Sequence, residues 1–313
     1  MLGKTANGLF WMYRYLERAE NTARLIETGQ RIALTRLAGT DEEWRSVLQT
    51  AAVDAAFDAA HDSVTKETAI DWMLRAKDNP SSVRNSISHA RSNARMVRTA
   101  LTHEVWEAVN GGYMEIDALL ARKVSERDLP KVLGLIRSRT ALVRGATDGT
   151  MLRNEIFDFA RIGTFLERAD NTARILDVKY YVLLPSVLSV GSEVDNVQWE
   201  TILRCVSAQR AYHWLNQGDV NPQTIADFLI LDRRMPRSLA FCYDRLADNL
   251  GLLADEYQQE FASLTAAQHT RKKLKGQRIE AIIEAGLHEF IERFIELNNA
   301  LGLQIEHDFR FYE

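Results

Sequence analysis

One nine-residue stretch occurs twice in this chain. Leu16-Glu17-Arg18-Ala19-Glu20-Asn21-Thr22-Ala23-Arg24 returns 150 residues later as Leu166-Glu167-Arg168-Ala169-Asp170-Asn171-Thr172-Ala173-Arg174, identical at eight of the nine positions. The ninth exchanges Glu20 for Asp170. Such a repeat constrains architecture before any local reading does, because two places in one chain need the same side chains. Both copies lack Pro and Gly and are rich in Ala, Leu, Glu and Arg, which favours helix. At helical periodicity Trp11, Met12, Tyr15, Ala19, Ala23 and Ile26 share a broad apolar face. Glu17, Asn21 and Arg24 fall opposite it, at spacings that make them neighbours, with Arg18 to one flank. The second copy repeats the arrangement with Glu167, Asn171, Arg174 and Arg168. A solvated charge lattice is one reading of that strip. A solvated face accepts many polar residues equally, however, and here Glu, Arg, Asn, Thr and Arg recur in register, which also fits a buried polar network or a shared ligand site.

The repeat extends beyond the nonapeptide. Glu43-Trp44-Arg45-Ser46-Val47-Leu48 is echoed by Gln198-Trp199-Glu200-Thr201-Ile202-Leu203, and Ile70-Asp71-Trp72 by Ala226-Asp227-Phe228. Asn79-Pro80-Ser81-Ser82 is echoed by Met235-Pro236-Arg237-Ser238, after which Asn249 falls level with Asn93. The expected fold is all-α: a duplicated helical bundle of two similar halves, 1–145 and 150–313, sharing one core.

Element boundaries follow from local chemistry. A first helix is expected from Asn7 to Leu37, then a break at Gly39-Thr40-Asp41 with Asp41 as N-cap. A second helix runs from Glu42 to His61 and a short one from Thr65 to Arg75. Asn79 is expected to cap, and Pro80 to open, a helix that ends at Gly111-Gly112. Tyr113 to Gly145 reads as a helical pair broken near Pro130, and 145–149 as a loop. Met151 to Leu184 is the second motif helix, Pro185 to Asn196 a linker, and Gln258 to Leu303 a terminal helical region. No period-two runs bounded by turns occur, so no sheet is expected.

Composition removes whole classes of function. In 313 residues, a net charge of −4 argues against nucleic acid as partner. No stretch approaches the apolar length of a membrane span, and the first residues show no secretory leader. Two cysteines, Cys205 and Cys242, give no disulfide framework and fit a reducing cytoplasm. There is no Gly-rich phosphate loop, HExxH, GxSxG or paired Cys/His metal spacing, so no cofactor and no metal are expected. His288 and Glu292 read as a surface contact, and the basic run Arg271-Lys272-Lys273-Leu274-Lys275 as a solvated face.

The chemistry that remains is carboxylate against guanidinium. Arg presents a planar, permanently charged fork suited to bidentate recognition. Under an internal two-fold, Glu17/Arg18 and Glu167/Arg168 would face each other across a central seam. Arg91, Arg95 and Arg98 form a second cationic stripe, followed by Glu104, Trp106 and Asn110. The terminal rings Phe309, Phe311 and Tyr312 are either interface anchors or a tail tucked onto its own core.

The segments Tyr15–Arg24, Phe165–Asp170, Ser92–Arg98 and Glu104–Asn110 together resemble the bacterial alpha-E family, all-helical proteins named for a Glu-Arg motif. The resemblance covers nearly the whole chain. It implies an all-helical fold and a genomic association with a circularly permuted ATP-grasp amidoligase, often with a transglutaminase-like peptidase. It carries Glu17, Arg18, Glu167 and Arg168 over as motif residues, and Arg95, Glu104 and Trp106 with them. The expected function is an accessory or scaffold subunit for such a ligase, in a system that makes or modifies a peptide-like product. Two alternatives stay open: an enzyme in its own right, with Glu17 or Glu167 as general base, or a purely structural helical protein.

Overall fold

The structure is a computed structural model and describes residues 1–33, 40–182, 193–216 and 220–312. Among these residues there are fifteen α-helices and no strand. Two of them carry the repeated motif, α1 (Gly3–Ala33) and α8 (Glu155–Val182). They form the axis of the molecule, each packed against the other and then surrounded.

Around α1 lie α2 (Thr40–Thr50), α5 (Val83–Met96) and α7 (Leu129–Thr150); around α8 lie α12 (Leu239–Tyr257) and α15 (Leu287–Asp308). The short helices α3 (Asp54–Asp58) and α4 (Lys66–Arg75) and the longer α6 (His103–Leu120) complete the first half of the chain. In the second half the remaining helices are α9 (Glu193–Cys205), α10 (Gln209–Asn216), α11 (Pro222–Ile230), α13 (Ala262–Lys275) and α14 (Ile279–Ala285).

Contacts between α1 and α8 pair residues whose numbers rise together, Phe10 with Gly163 and Glu17 with Arg168, so these two helices run in the same direction. The approach is close at Gly163, where an added Cβ would sit 2.3 Å from the carbonyl oxygen of Phe10. Only a residue without a side chain lets the two backbones meet there. The flanking helices run the other way: Tyr13 meets Thr147 of α7, and Asn298 of α15 meets Leu166.

Being surrounded changes what the motif face is. The apolar side packs as expected, with Met12, Ala19, Ala23 and Ile26 fully buried. The opposite side is buried too: Glu17 is 2% exposed, Asn21 6% and Glu167 2%. A solvated charge lattice is therefore excluded for these positions.

Several boundaries differ from expectation, each for a local reason. The expected second helix breaks at Ala52, which takes a left-handed φ of 53°, and the amide of Val53 returns to the carbonyl of Leu48. Ser207 does the same at the end of α9 with φ 57°, the amide of Ala208 returning to Leu203. Ser82, not Asn79, caps α5; Asn79 is buried and ties the carbonyl of Trp72 to the amide of Ser81. Ser238 caps α12 in the same way, two residues after Pro236.

The helix expected to reach Gly111 instead ends at Met96. A 3-10 turn and an extended Leu101 follow, and Thr102 caps α6. Gly111 and Gly112 do not stop α6, which runs through both; Gly112 lies where an added Cβ would be 3.3 Å from Arg139 of α7. Residues 145–149 are likewise helical within α7, held by Thr147, whose hydroxyl bonds the carbonyl of Val143 and meets Tyr13. Gly39 of the first expected break and residues 185–192 of the expected linker lie outside the described residues, and the rest of that linker, 193–196, is the start of α9.

Phe309 and Phe311 are buried, and Phe311 lies tilted against Phe10 with centroids 5.3 Å apart, so these rings belong to the core and are not interface anchors. Tyr312 remains exposed.

Candidate functional site

The site is the seam between the two motif copies. Arg18 places Nε 2.6 Å from Glu167 Oε1 and Nη2 3.1 Å from Oε2, a bidentate fork. Arg168 makes the reciprocal fork on Glu17, at 2.9 and 3.0 Å. Glu and Arg adjacent in each copy thus pair across the seam, as an internal two-fold would require. A single turn of helix sets this up, because neighbouring residues point about 100° apart and so one copy can both give and take.

Beyond the forks the two sides differ. On the first side, Arg237 extends from the turn after Pro236 and places Nη1 2.8 Å from Glu17 Oε1 and Nη2 2.8 Å from Glu20 Oε1. Arg24 grips Glu20 at 2.7 Å and reaches Ser207 Oγ at 2.5 Å, and Arg144 of α7 also donates to Glu20. Four guanidiniums therefore fill the space around two buried carboxylates.

On the other side Glu167 has Arg18 and Arg14, the latter at 2.9 Å, and Asp170 has Arg174 at 2.7 Å. The residue after Pro80 is Ser81, too short to reach the seam, and a cavity of about 150 Å³ remains. Arg18, Asn21, Glu167, Asp170, Asn171 and Arg174 line its polar wall; Leu25, Val53 and Met73 line the apolar one. Asn171 is 6% exposed and its side-chain amide nitrogen has no hydrogen-bond partner. A buried donor left unpaired costs about 1–3 kcal/mol.

Electrostatics fixes the protonation states. Burial opposes ionisation of Glu167, but the guanidiniums of Arg18 and Arg14 outweigh it and bring its pKa down to about 2. Burial likewise opposes ionisation of Glu17, and Arg168, Arg237 and Arg144 hold it far below the usual carboxylate range. Glu20 is also lowered, against its burial and the neighbouring Glu17 charge, by Arg237, Arg144 and Arg24. Carboxylates held this firmly take no proton at neutral pH, so neither Glu17 nor Glu167 suits a general base.

Of the residues singled out in the sequence, Glu17, Arg18, Asn21, Glu167, Arg168, Asn171, Arg24 and Arg174 all meet at the seam. Arg95, Glu104 and Trp106 do not. Arg95 and Glu104 are exposed, and Trp106 lies under Arg98, whose guanidinium carbon is 4.8 Å from the ring centroid. Arg95 stands fourteen residues along from Ser81 at the far end of α5, about 20 Å away along the helix. The stripe is broken up in other ways: Arg91 bonds Asn110 and covers Tyr113. The residues that sequence reasoning missed are Arg237, Arg144, Arg14 and Ser81. Arg237 and Ser81 were marked by the echo around Pro80 and Pro236, in which they are one of two mismatched pairs, Asn79 and Met235 being the other.

Elsewhere, His288 sits between Asp177, 2.7 Å away, and Glu292 at 3.4 Å. Arg271 is drawn out of the basic run into pairs with Asp244 and Asp248. Among the described residues no cluster of His, Cys, Asp and Glu could hold a metal ion, and no helix is long and apolar enough to cross a membrane.

The fold and the seam define a class: all-helical domains built on reciprocal, buried Glu-Arg pairs. The chain belongs to the Alpha-E family, described as a predicted alpha-helical domain with a conserved ER motif, which it matches over residues 1–309. It is similar to an uncharacterized protein of Mycobacterium bovis, 26% identical over 266 residues, a stretch that is 79% of this chain and 29% of that protein. An uncharacterized protein of Mycobacterium tuberculosis is 25% identical over the same length and shares. The chain thus spans less than a third of the length of these curated relatives. No solved structure matches it.

Proposed function

We propose that this chain is a binding or scaffold subunit of an ATP-grasp amidoligase system that makes or modifies a peptide-like product. The observation that carries this reading is the cavity beside Ser81, a polar pocket on the side of the seam that has no counterpart of Arg237 among the described residues. A purely structural network would be expected to close both sides alike. The sequence offers no phosphate loop, so nucleotide chemistry comes from a circularly permuted ATP-grasp partner, with a transglutaminase-like peptidase as a second associate. The curated relatives hold the matching segment within much longer chains, an arrangement that suits a module working beside others. The two halves, 1–145 and 150–313, act as repeats around one core, and two buried unpaired cysteines suit the reducing cytoplasm.

The experiment is co-purification with the ATP-grasp partner, followed by ligation and ATP hydrolysis assays with and without this chain. A stable complex at micromolar concentration, and ligation that depends on the chain, are expected; the chain alone hydrolyses no ATP. A ligase that works equally well alone, with no complex formed, overturns the proposal.

A further inference from the structure

The filled side of the seam is a template for the open one. Before Arg237 is counted, Glu17 and Glu20 are met by three guanidiniums, Arg168, Arg24 and Arg144. Glu167 and Asp170 are also met by three, Arg18, Arg14 and Arg174. One such set takes a fourth guanidinium, with both of its terminal nitrogens 2.8 Å from carboxylate oxygens. Glu17 Oε1 accepts from Arg168 and Arg237 together, whereas Glu167 Oε1 accepts from Arg18 Nε, with no second donor among the described residues. The turns match as well: Pro80 and Pro236 precede Ser81 and Arg237, and Ser82 and Ser238 cap the helices that follow.

We infer that the cavity beside Ser81 is a site for a guanidinium-bearing ligand, whose planar fork bridges Glu167 and Asp170 as Arg237 bridges Glu17 and Glu20. Asp170 is one methylene shorter than Glu20, which leaves extra room on this side. Leu25, Val53 and Met73 provide an apolar wall for the methylene stem that any arginine-like group carries. The ligand is either the arginine side chain of a peptide or a free alkylguanidine.

The inference rests on reading the cavity as a ligand site, not on the identity of the partner enzyme. Loss of ligand binding with intact co-purification would overturn it alone, and the converse would overturn only the partner.

Isothermal titration calorimetry and thermal melts with ethylguanidine, and with the peptides Gly-Arg-Gly and Gly-Lys-Gly, test it on the full chain; ethylamine and acetate serve as controls. Saturable binding of ethylguanidine and Gly-Arg-Gly is expected, with a rise in melting temperature of about 3–5 °C at roughly hundredfold excess over Kd. A tenfold preference for the peptide assigns the site to peptides, and equal affinity to free guanidines. Ser81→Arg should supply the missing fork and weaken binding at least tenfold without lowering the melting temperature. Asp170→Asn carries the same test if that variant fails to fold. In the reverse direction, Arg237→Ser should open the matching cavity and lower the melting temperature, and ethylguanidine should restore it. Absence of saturable guanidinium binding to the folded chain, unchanged binding in both the Ser81→Arg and Asp170→Asn variants, or preferential binding of acetate overturns the inference.

Discussion

Replacing Glu167 by Gln removes one charge from the seam and almost no volume. Glu167 is buried and takes a fork from Arg18 and a further bond from Arg14, and its pKa falls from 4.5 to about 2. A fall of this size corresponds to about 3 kcal/mol of folding stability. The sign follows from linkage. A carboxyl with a depressed folded-state pKa contributes fully above its unfolded value, near 4.5, and loses that contribution as pH falls towards 2. Glu167→Gln is therefore expected to be about 3 kcal/mol less stable than the parent at pH 7. The gap should narrow by about 1 kcal/mol at pH 3.5, because the parent loses stability there and Gln does not titrate. Every other titrating group is common to both chains and cancels in the difference. Urea unfolding followed by far-ultraviolet circular dichroism, at matched ionic strength, measures both values. A gap below about 1 kcal/mol at pH 7, or one that is the same at both pH values, refutes the reasoning.

Three further outcomes test separate parts of the structure. Arg168→Met and Arg18→Met each remove a bidentate fork but leave a guanidinium on the carboxylate, Arg237 on Glu17 and Arg14 on Glu167, so each should cost about 1–3 kcal/mol; paired chemical denaturation curves measure both. Burial, with a smaller contribution from Glu256, pushes Asp158 up to about 6, so the folded state prefers it protonated and loses stability as pH rises between 3.8 and 6. Asp158→Asn is accordingly expected to raise the melting temperature at pH 7 and to leave it nearly unchanged at pH 3.5. Gly163→Ala drives a methyl group into the backbone of α1 and should cost more than about 3 kcal/mol, read as a drop in melting temperature; a drop below 2 °C would contradict the close approach.

How much of this was legible in the sequence depended on whether the signal was local. The motif helices, their apolar faces and the cross-seam pairing of Glu17/Arg18 with Glu167/Arg168 follow from periodicity and from the repeat itself. Gly111 and Gly112 did not act as stop signals because α6 packs along α7, Arg139 lying against Gly112 while Gly111 faces open space. The break at Ala52 gave no sign, since alanine is the strongest helix former and its left-handed conformation is imposed by the return of Val53 to the core. Burial of the polar strip was legible only as one of the readings that recurrence in register allowed. It depends on α1 and α8 both being enclosed, and enclosure is set by helices far away in sequence. Arg144 and Arg14 carry no mark in the repeat at all, because Arg144 lies on a separate helix and the counterpart of Arg14 in the second copy is Thr164.

The motif and the cavity therefore answer to different residues. Buried ion pairs are weak sources of stability, since taking charges out of water offsets most of their attraction, and a well-packed apolar seam of the same volume would often be as stable. What reciprocal forks supply is register. A slide of α1 along α8 by one residue would place Glu17 and Glu167 against partners of the wrong sign or none, leaving two buried carboxylates unpaired, a cost of several kcal/mol for each. The frame thus admits one alignment of the two axial helices, and that alignment brings the turns after Pro80 and Pro236 to matching places beside it. Whatever side chain follows each proline then decides whether the space is filled from within, as by Arg237, or left open, as by Ser81. A change at position 81 can alter what the cavity accepts without touching the Glu-Arg pairs, whereas a change at Glu17, Arg18, Glu167 or Arg168 acts on the frame first.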